Sequence, residues 1–328
     1  MMGPTAELHV HIEGTLEPEL LVRLARRNGI DLPTYDVDEL RATYAFTRLQ
    51  DFLDVYEANT AVLRTEEDFA ELGDMYFRRA AAAGVVRAEV FFDPQAHVRR
   101  GVPIEAVVGG LGAAVDAARS RGMSADLILC FLRDLGPEAA MEIFEAALPL
   151  RDRFIGVGLD STEVGYPPSL FRDVYARAAA EGLHRVAHAG EEGGPDYVWE
   201  ALDVLGVERI DHGNRALEDP ALVARLRDDG VALTVCPLSN LALRTAPPEL
   251  SAHPLPVMLE EGLLVSIHSD DPAYFGGYVD DNLRQVRDAL RLDDETMRRL
   301  AENSFVSSFA PRAQVEGWIS QIRAGAVG

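Results

Sequence analysis

Residues 263–277 read LLVSIHSDDPAYFGG. An apolar run of strand character climbs into two adjacent carboxylates, Asp270 and Asp271, and stops at Pro272. Like charges that close raise one another's pKa, and burial adds to the cost. Either the pair lies in water as a turn, or a site at the end of a strand needs two carboxylates with different tasks. Seven other runs have the same form: AELHVHIE (6–13), VVRAEVFFD (85–93), ADLILCFL (125–132), RFIGVGLD (153–160), HRVAHAG (184–190), ERIDHG (208–213) and VALTVCP (231–237). Their Val, Ile and Leu content suits strands buried on both faces of a parallel sheet. Amphipathic helical stretches alternate with them; 168–182 starts on a proline and ends on a glycine, and 219–230 and 254–262 follow the same scheme. Eight strand–helix alternations predict an α/β fold of the (β/α)8 TIM-barrel type. A doubly wound open sheet is the runner-up, but no Gly-rich phosphate loop follows the first strand.

Residues 14–84 separate the first two strands, more than a plain barrel needs. PELLVRLARRNG (18–29), LQDFLDVYEANTAVL (49–63) and TEEDFAELGDMYFRRAAAAG (65–84) read as extra helices. They are expected to cover one mouth of the barrel as a lid. With no repeat, linker or low-complexity segment, residues 1–328 read as a single domain.

The formal net charge of −23 argues against nucleic acid or an anionic membrane as a partner. All 31 basic residues are arginine. No lysine is available for a Schiff base, for nucleophilic catalysis, or to bridge two metals as a carbamate. The two cysteines, Cys130 and Cys236, sit inside apolar runs and read as free, reduced thiols. No apolar run reaches the ~18 residues of a membrane span, and no signal segment fits ahead of the first strand. The expectation is a soluble, cytoplasmic protein. Oligomeric state is not written in the sequence, and a homo-oligomer is compatible with it.

In a barrel of this kind catalytic groups sit at the C-terminal ends of the strands. His9 and His11 are two residues apart and so point the same way along a strand. His188 is followed by Ala-Gly, and Glu191 lies three residues on. His212 ends the sixth run, where Asp211 is either its partner or a cap. Four of the eight histidines thus fall at strand ends. Three histidines and one carboxylate suit Zn2+ with a position open to water, and such an N/O donor set also admits Fe2+. Asp270 can then bind the metal while Asp271 addresses the substrate, the cation offsetting their repulsion. His212 is expected to orient the water and take its proton, and Glu191 to protonate a ring nitrogen or leaving group.

ELHVHIEG, HAGE, DHG and SDDP, in this order, resemble the adenosine/adenine deaminase family of the amidohydrolase superfamily. The resemblance extends from Glu7 to about Phe309. It implies one Zn2+ held by His9, His11, His188 and Asp270. It also implies Glu191 at purine N1, His212 at the attacking water and Asp271 at N7. GTLEPEL, FFDPQAH, GLDSTEVG, TVCPLSN and DDPAYFGGY resemble the adenine deaminase branch, which implies conversion of adenine to hypoxanthine and ammonia in purine salvage. Glu13 stands where the adenosine branch carries an aspartate that meets ribose, and its extra methylene would intrude on ribose space. Glu163 is expected at the purine edge.

Three positions depart from that branch: His268 before SDD, Tyr166 after EVG and Asn214 after DHG. They are read either as drift or as a shift to another 6-aminopurine. Adenosine, aminodeoxyfutalosine and an N6-substituted adenine are the alternatives. A catalytically inactive purine-binding protein is the distant one.

Overall fold

Eight parallel strands hydrogen-bond in sequential order, in a computed structural model that describes residues 3–325. They are β1 (Thr5–Glu7), β2 (Val85–Phe92), β3 (Ser124–Leu132), β4 (Gly156–Asp160), β5 (His184–Ala189), β6 (Arg209–His212), β7 (Ala232–Val235) and β8 (Leu264–Ile267). The His11 N–H donates to the Asp270 carbonyl at 3.0 Å, and the Asp270 N–H donates to the His9 carbonyl at 2.9 Å. These bonds join the end of β8 to the segment after β1, and the sheet becomes the predicted (β/α)8 barrel.

The first strand is shorter than the expected 6–13. Beyond Glu7 side chains replace the ladder. The Leu8 N–H donates to His268 Nδ1 at 3.1 Å, and the Leu8 carbonyl accepts from Arg209 Nη2 at 3.1 Å. Backbone pairing resumes at Val10 and His11, which bridge Asp270 and Phe91.

Side-chain parity divides the barrel into an outer and an inner layer. On β2, Ala88, Val90 and Phe92 face the helices and join the main core, whereas Phe91 packs inside with Ile128, Cys130 and Val186. The interior is filled, as in other barrels of this class. Below that cluster Glu89 accepts from Arg87 Nη2 at 2.7 Å and from Arg209 Nη1 at 2.5 Å. Burial alone would raise the Glu89 pKa, but Arg209 and Arg87 outweigh it and hold the carboxyl below its ordinary value.

Between β1 and β2 run α1 (Pro18–Asn28), α2 (Val37–Ala42), α3 (Leu49–Thr60) and α4 (Glu66–Ala82). Only α3 takes the expected lid position. Its Phe52 and Tyr56 pack with Leu243, Tyr274 and Phe275 in a separate apolar cluster over the barrel mouth. α4 instead packs on the flank against the helix Ile104–Ser120, because its buried face matches that of an ordinary barrel helix. Asp68 of α4 accepts from Arg27 at 3.0 Å and from Asn28 at 2.8 Å, tying α1 to the same wall. No described helix is long and apolar enough to cross a membrane. Cys130 and Cys236 are free and buried.

The Glu89 cluster gives a stability test. Glu89→Ala leaves two buried guanidinium groups without their shared anion, a loss worth about 3–5 kcal/mol. Urea unfolding should show a lower midpoint of that size; a change below about 1 kcal/mol would mean that the arginines are otherwise solvated.

Candidate active site

The inward positions of the strands converge at the C-terminal mouth. His9 and His11 follow β1, His188 is on β5, and Asp270 follows β8. His11 Nε2 is 3.2 Å from His188 Nε2 and 3.5 Å from Asp270 Oδ1, and His9 Nε2 is 3.3 Å from Asp270 Oδ1. A tetrahedral ion with bonds near 2.0–2.1 Å would separate its ligands by about 3.3–3.4 Å. These three separations match that spacing, but the four donors that all lie within 4.8 Å of one another are those of His9, His188, His212 and Asp270, whereas His11 groups with Asp270 and Asp271.

The hydrogen bonds around His9 fix its tautomer. Nδ1 lies 3.1 Å from the Thr234 carbonyl, which can only accept. Nδ1 therefore carries the proton, and it also faces the Thr234 hydroxyl oxygen at 2.9 Å. That hydroxyl spends its own proton on Asp211 Oδ1 at 2.8 Å. His9 Nε2 is left with a lone pair, buried and without a hydrogen-bond partner in the protein. Burial holds the His188 pKa well below its ordinary value, so its lone pair is available too. Asp270 behaves in the opposite sense. Burial would raise it, but His9 and the other imidazoles dominate and keep it ionised. Imidazoles around a carboxylate form the donor set of a divalent metal site.

His212 follows a different geometric rule. Inward parity on β6 belongs to Arg209 and Asp211, which would turn His212 outward. A positive φ of 68° at His212 swings it into the mouth. There Nε2 is 3.6 Å from Glu191 Oε2 and 3.9 Å from Asp270 Oδ2. His212 Nε2 also lies close enough to the donors of His9, His188 and Asp270 to count with them. Asp270 has a positive φ of 64°, and this bend lets both carboxylates of SDDP face the mouth. Asp271 is seated against Gly14, where any Cβ would collide with its carboxyl group. Of the two roles open to Asp211, partner of His212 or cap, the pairing with His212 is not formed. Asp211 serves Thr234 and lies 3.9 Å from His188 Nδ1.

Proton occupancy differs around the ring. Burial, then Asp270, raises the pKa of Glu191 well above the carboxylate range, and the same two causes raise Asp271. Burial, then His9, lowers His212 to about 3. Burial thus favours the uncharged forms of Glu191, Asp271 and His212, while Asp270 is held in its charged form, and environments that push carboxyl groups apart in this way separate donor from acceptor roles.

A cavity of about 460 Å³, including its opening, lies over these groups. His11, His188, Glu191, His212, Asp270 and Asp271 line it, under Leu49, Phe52 and Tyr56 of the lid helix. Glu13 and Glu163 are close but do not line it. Glu13 Oε1 faces His97 Nε2 at 2.8 Å and accepts the Asp93 N–H at 3.2 Å. Glu163 accepts the backbone N–H groups of Gly190, Glu191, Glu192 and Gly193 at 2.7–3.0 Å. It fixes the loop that carries Glu191. His268, Tyr166 and Asn214 are not cavity-lining either. His268 is buried below the site, between the Leu8 N–H and the Ser266 hydroxyl. Sequence reasoning left out Asp93, Asp160 and Ser161, which do line the cavity. Asp160 ends β4 and Asp93 follows β2, so the strand-end rule that found Asp270 could have found both.

The chain is similar to known proteins over nearly its whole length. A sequence model described as adenosine deaminase matches residues 4–324. An adenine deaminase of Streptomyces coelicolor is 61% identical over 307 residues, covering 93% of this chain and 90% of its own. One from Rhodospirillum rubrum is 58% identical over 312 residues, covering 95% and 93%. The crystal structure of an adenine deaminase from Arthrobacter aurescens superposes with a TM-score of 0.97 at 51% identity, covering 99% and 100% of the two chains. An amidohydrolase from Burkholderia ambifaria, solved with bound Zn, reaches 0.91 at 29% identity, covering 98% and 90%.

The Thr234 contact is open to a direct test. Thr234→Val removes the hydroxyl between His9 and Asp211 and should lower metal affinity about 10–100-fold. Chelator competition measures this. Unchanged affinity would mean that the Thr234 carbonyl alone orients His9.

Proposed function

The chain belongs to the adenosine deaminase family, and from that premise we propose that it hydrolyses adenine to hypoxanthine and ammonia. The observation that carries this reading is the mouth itself. His11, His188, Glu191, His212, Asp270 and Asp271 face one cavity, with His9 buried beside Asp270, in a chain whose relatives at 53–61% identity are adenine deaminases. His9, His11, His188 and Asp270 would hold the ion, for which we infer Zn2+. The donor types support that choice, as does the likeness to a relative solved with bound Zn. When bound, the ion supplies Lewis-acid activation of the attacking water.

The chain's own groups then divide the proton work. His212 lies between Glu191 and Asp270 and takes a proton from water as its oxygen bonds to C6. Glu191 enters neutral and gives its proton to N1, so that the ring nitrogen need not carry negative charge. Asp271, also neutral, donates to the N7 lone pair and fixes the ring. The C6–N6 bond then breaks as the amino group takes the proton held by His212 and leaves as ammonia, while the C6 hydroxyl gives its proton back to Glu191 and becomes the carbonyl. Glu163 holds the Glu191 loop by four backbone N–H groups, a positioning role. The lid cluster of Phe52 and Tyr56 keeps bulk water from the reacting carbon. We read the chain as one catalytic domain acting on a small purine, and we assign the reaction to the cytoplasm, where buried free thiols such as Cys130 and Cys236 stay reduced.

Ammonia release by zinc-loaded protein should be highest on adenine among adenine, N6-methyladenine, adenosine and aminodeoxyfutalosine. A higher kcat/KM on another member would keep the chemistry and move the substrate. Glu191→Gln should retain the metal and lose about 10²–10⁴-fold in kcat. Activity within a few-fold of the original would remove Glu191 from proton delivery.

A further inference from the structure

Two carboxyl groups line the cavity and have no part in the steps above. Asp93 and Asp160 stand together beside His11, whose Nδ1 is 3.4 Å from Asp160 Oδ2 and 3.9 Å from Asp93 Oδ2. Asp160 is 3% exposed, and neither of its oxygens has a hydrogen-bond donor in the protein. Asp93 is 2% exposed; its Oδ2 accepts from the Tyr56 hydroxyl at 3.1 Å, and its Oδ1 has no donor. Burial raises both carboxyls and Asp93 repels Asp160, so the pair favours holding one proton between them, and the oxygens that this proton does not serve are costly unless something that enters brings a donor.

Their position indicates which donor. His11 turns Nε2 toward His188 and Asp270, and Nδ1 toward the two carboxyls. Asp93 and Asp160 therefore lie on the side of the ring away from the reacting end. A 6-aminopurine with C6 at the reacting end and N7 at Asp271 presents its N3/N9 edge to the remaining wall. If N7 accepts a hydrogen bond from Asp271, the imidazole N–H of a free base is on N9. A nucleoside has no hydrogen there.

We propose that Asp93 and Asp160 accept the N9–H of the free base and so select unsubstituted purines over 9-substituted ones. This rests on the adenine reading given above. It moves the discrimination against ribose from Glu13, which lies behind the wall and holds the Asp93 backbone, to the pair in front of it. A site built around a hydrogen bond rejects the analogue that lacks the donor far more strongly than a site built on shape alone, because its own polar groups are then left unpaired.

The test compares adenine with 9-methyladenine, which keeps the amino group, N1, N3 and N7. The zinc-loaded enzyme should favour adenine by about 10³-fold or more in kcat/KM. Asp160→Ala and Asp93→Ala, matched for zinc content, should raise KM for adenine about 10–100-fold with little change in kcat, and leave kcat/KM for 9-methyladenine unchanged or improved. Calorimetry with the product bases supplies a reading without turnover. Hypoxanthine should bind the original enzyme more tightly than 9-methylhypoxanthine, and this preference should shrink in the variants. If either variant fails to fold, the two base pairs on the original enzyme still decide. Equal use of adenine and 9-methyladenine would overturn the inference and leave the adenine reading standing. So would variants that lose both substrates in the same proportion, since the carboxyls would then serve only to hold His11. No ammonia from either base, with zinc bound, would sink the adenine reading and the inference with it.

Discussion

Imidazole nitrogens of His11 and His188 face each other at 3.2 Å, with the Asp270 carboxylate 3.5 Å from the first. Two imidazoles and a carboxylate this close suit a shared cation. The rest of the structure serves to hold this crowding in place. Asp270 links the two levels of organisation. Its backbone N–H and carbonyl make the bonds that close β8 onto β1, and its side chain is one of the converging donors. Barrel closure and ligand placement are therefore set by the same residue, whose positive φ turns the carboxylate inward.

A second constraint follows from burial. Glu191, Asp271 and His212 are excluded from water, and each is driven toward its neutral form. Asp270 lies in the same environment and stays ionised because His9 and the other imidazoles stabilise its charge. Neighbouring carboxyl groups thus acquire opposite roles from their partners alone, which answers the question raised by the side-by-side aspartates of SDDP. The supporting groups keep those partners fixed. Thr234 and Asp211 set the His9 tautomer, and Glu163 anchors the backbone of Glu191.

Much of this was legible in the sequence for a definite reason. Strand runs such as 85–93 and 125–132 are bounded by breakers, and the side-chain alternation that marks them as strands also fixes which residues point inward. His188 and Asp270 could be located by that rule. His212 could not, since its inward turn depends on a backbone dihedral that no periodicity encodes. The end of β1 was misjudged because His268 and Arg209, distant in sequence, take over the hydrogen bonds of Leu8. Glu13 and Glu163 were placed near the site by motif, but whether a carboxylate faces a cavity or a row of backbone N–H groups is settled by tertiary packing. Asp93 and Asp160 sat in view at strand ends and went unassigned because the histidine pattern drew the chemistry elsewhere.

The proposed reaction requires one metal ion held at the barrel mouth. The direct measurement is to strip the protein with chelator, then titrate Zn2+ while following both bound metal and ammonia release from adenine. The account predicts loss of activity on stripping and full recovery at one equivalent, with Asp270→Ala binding far more weakly. Full turnover by protein shown to be free of metal would contradict it.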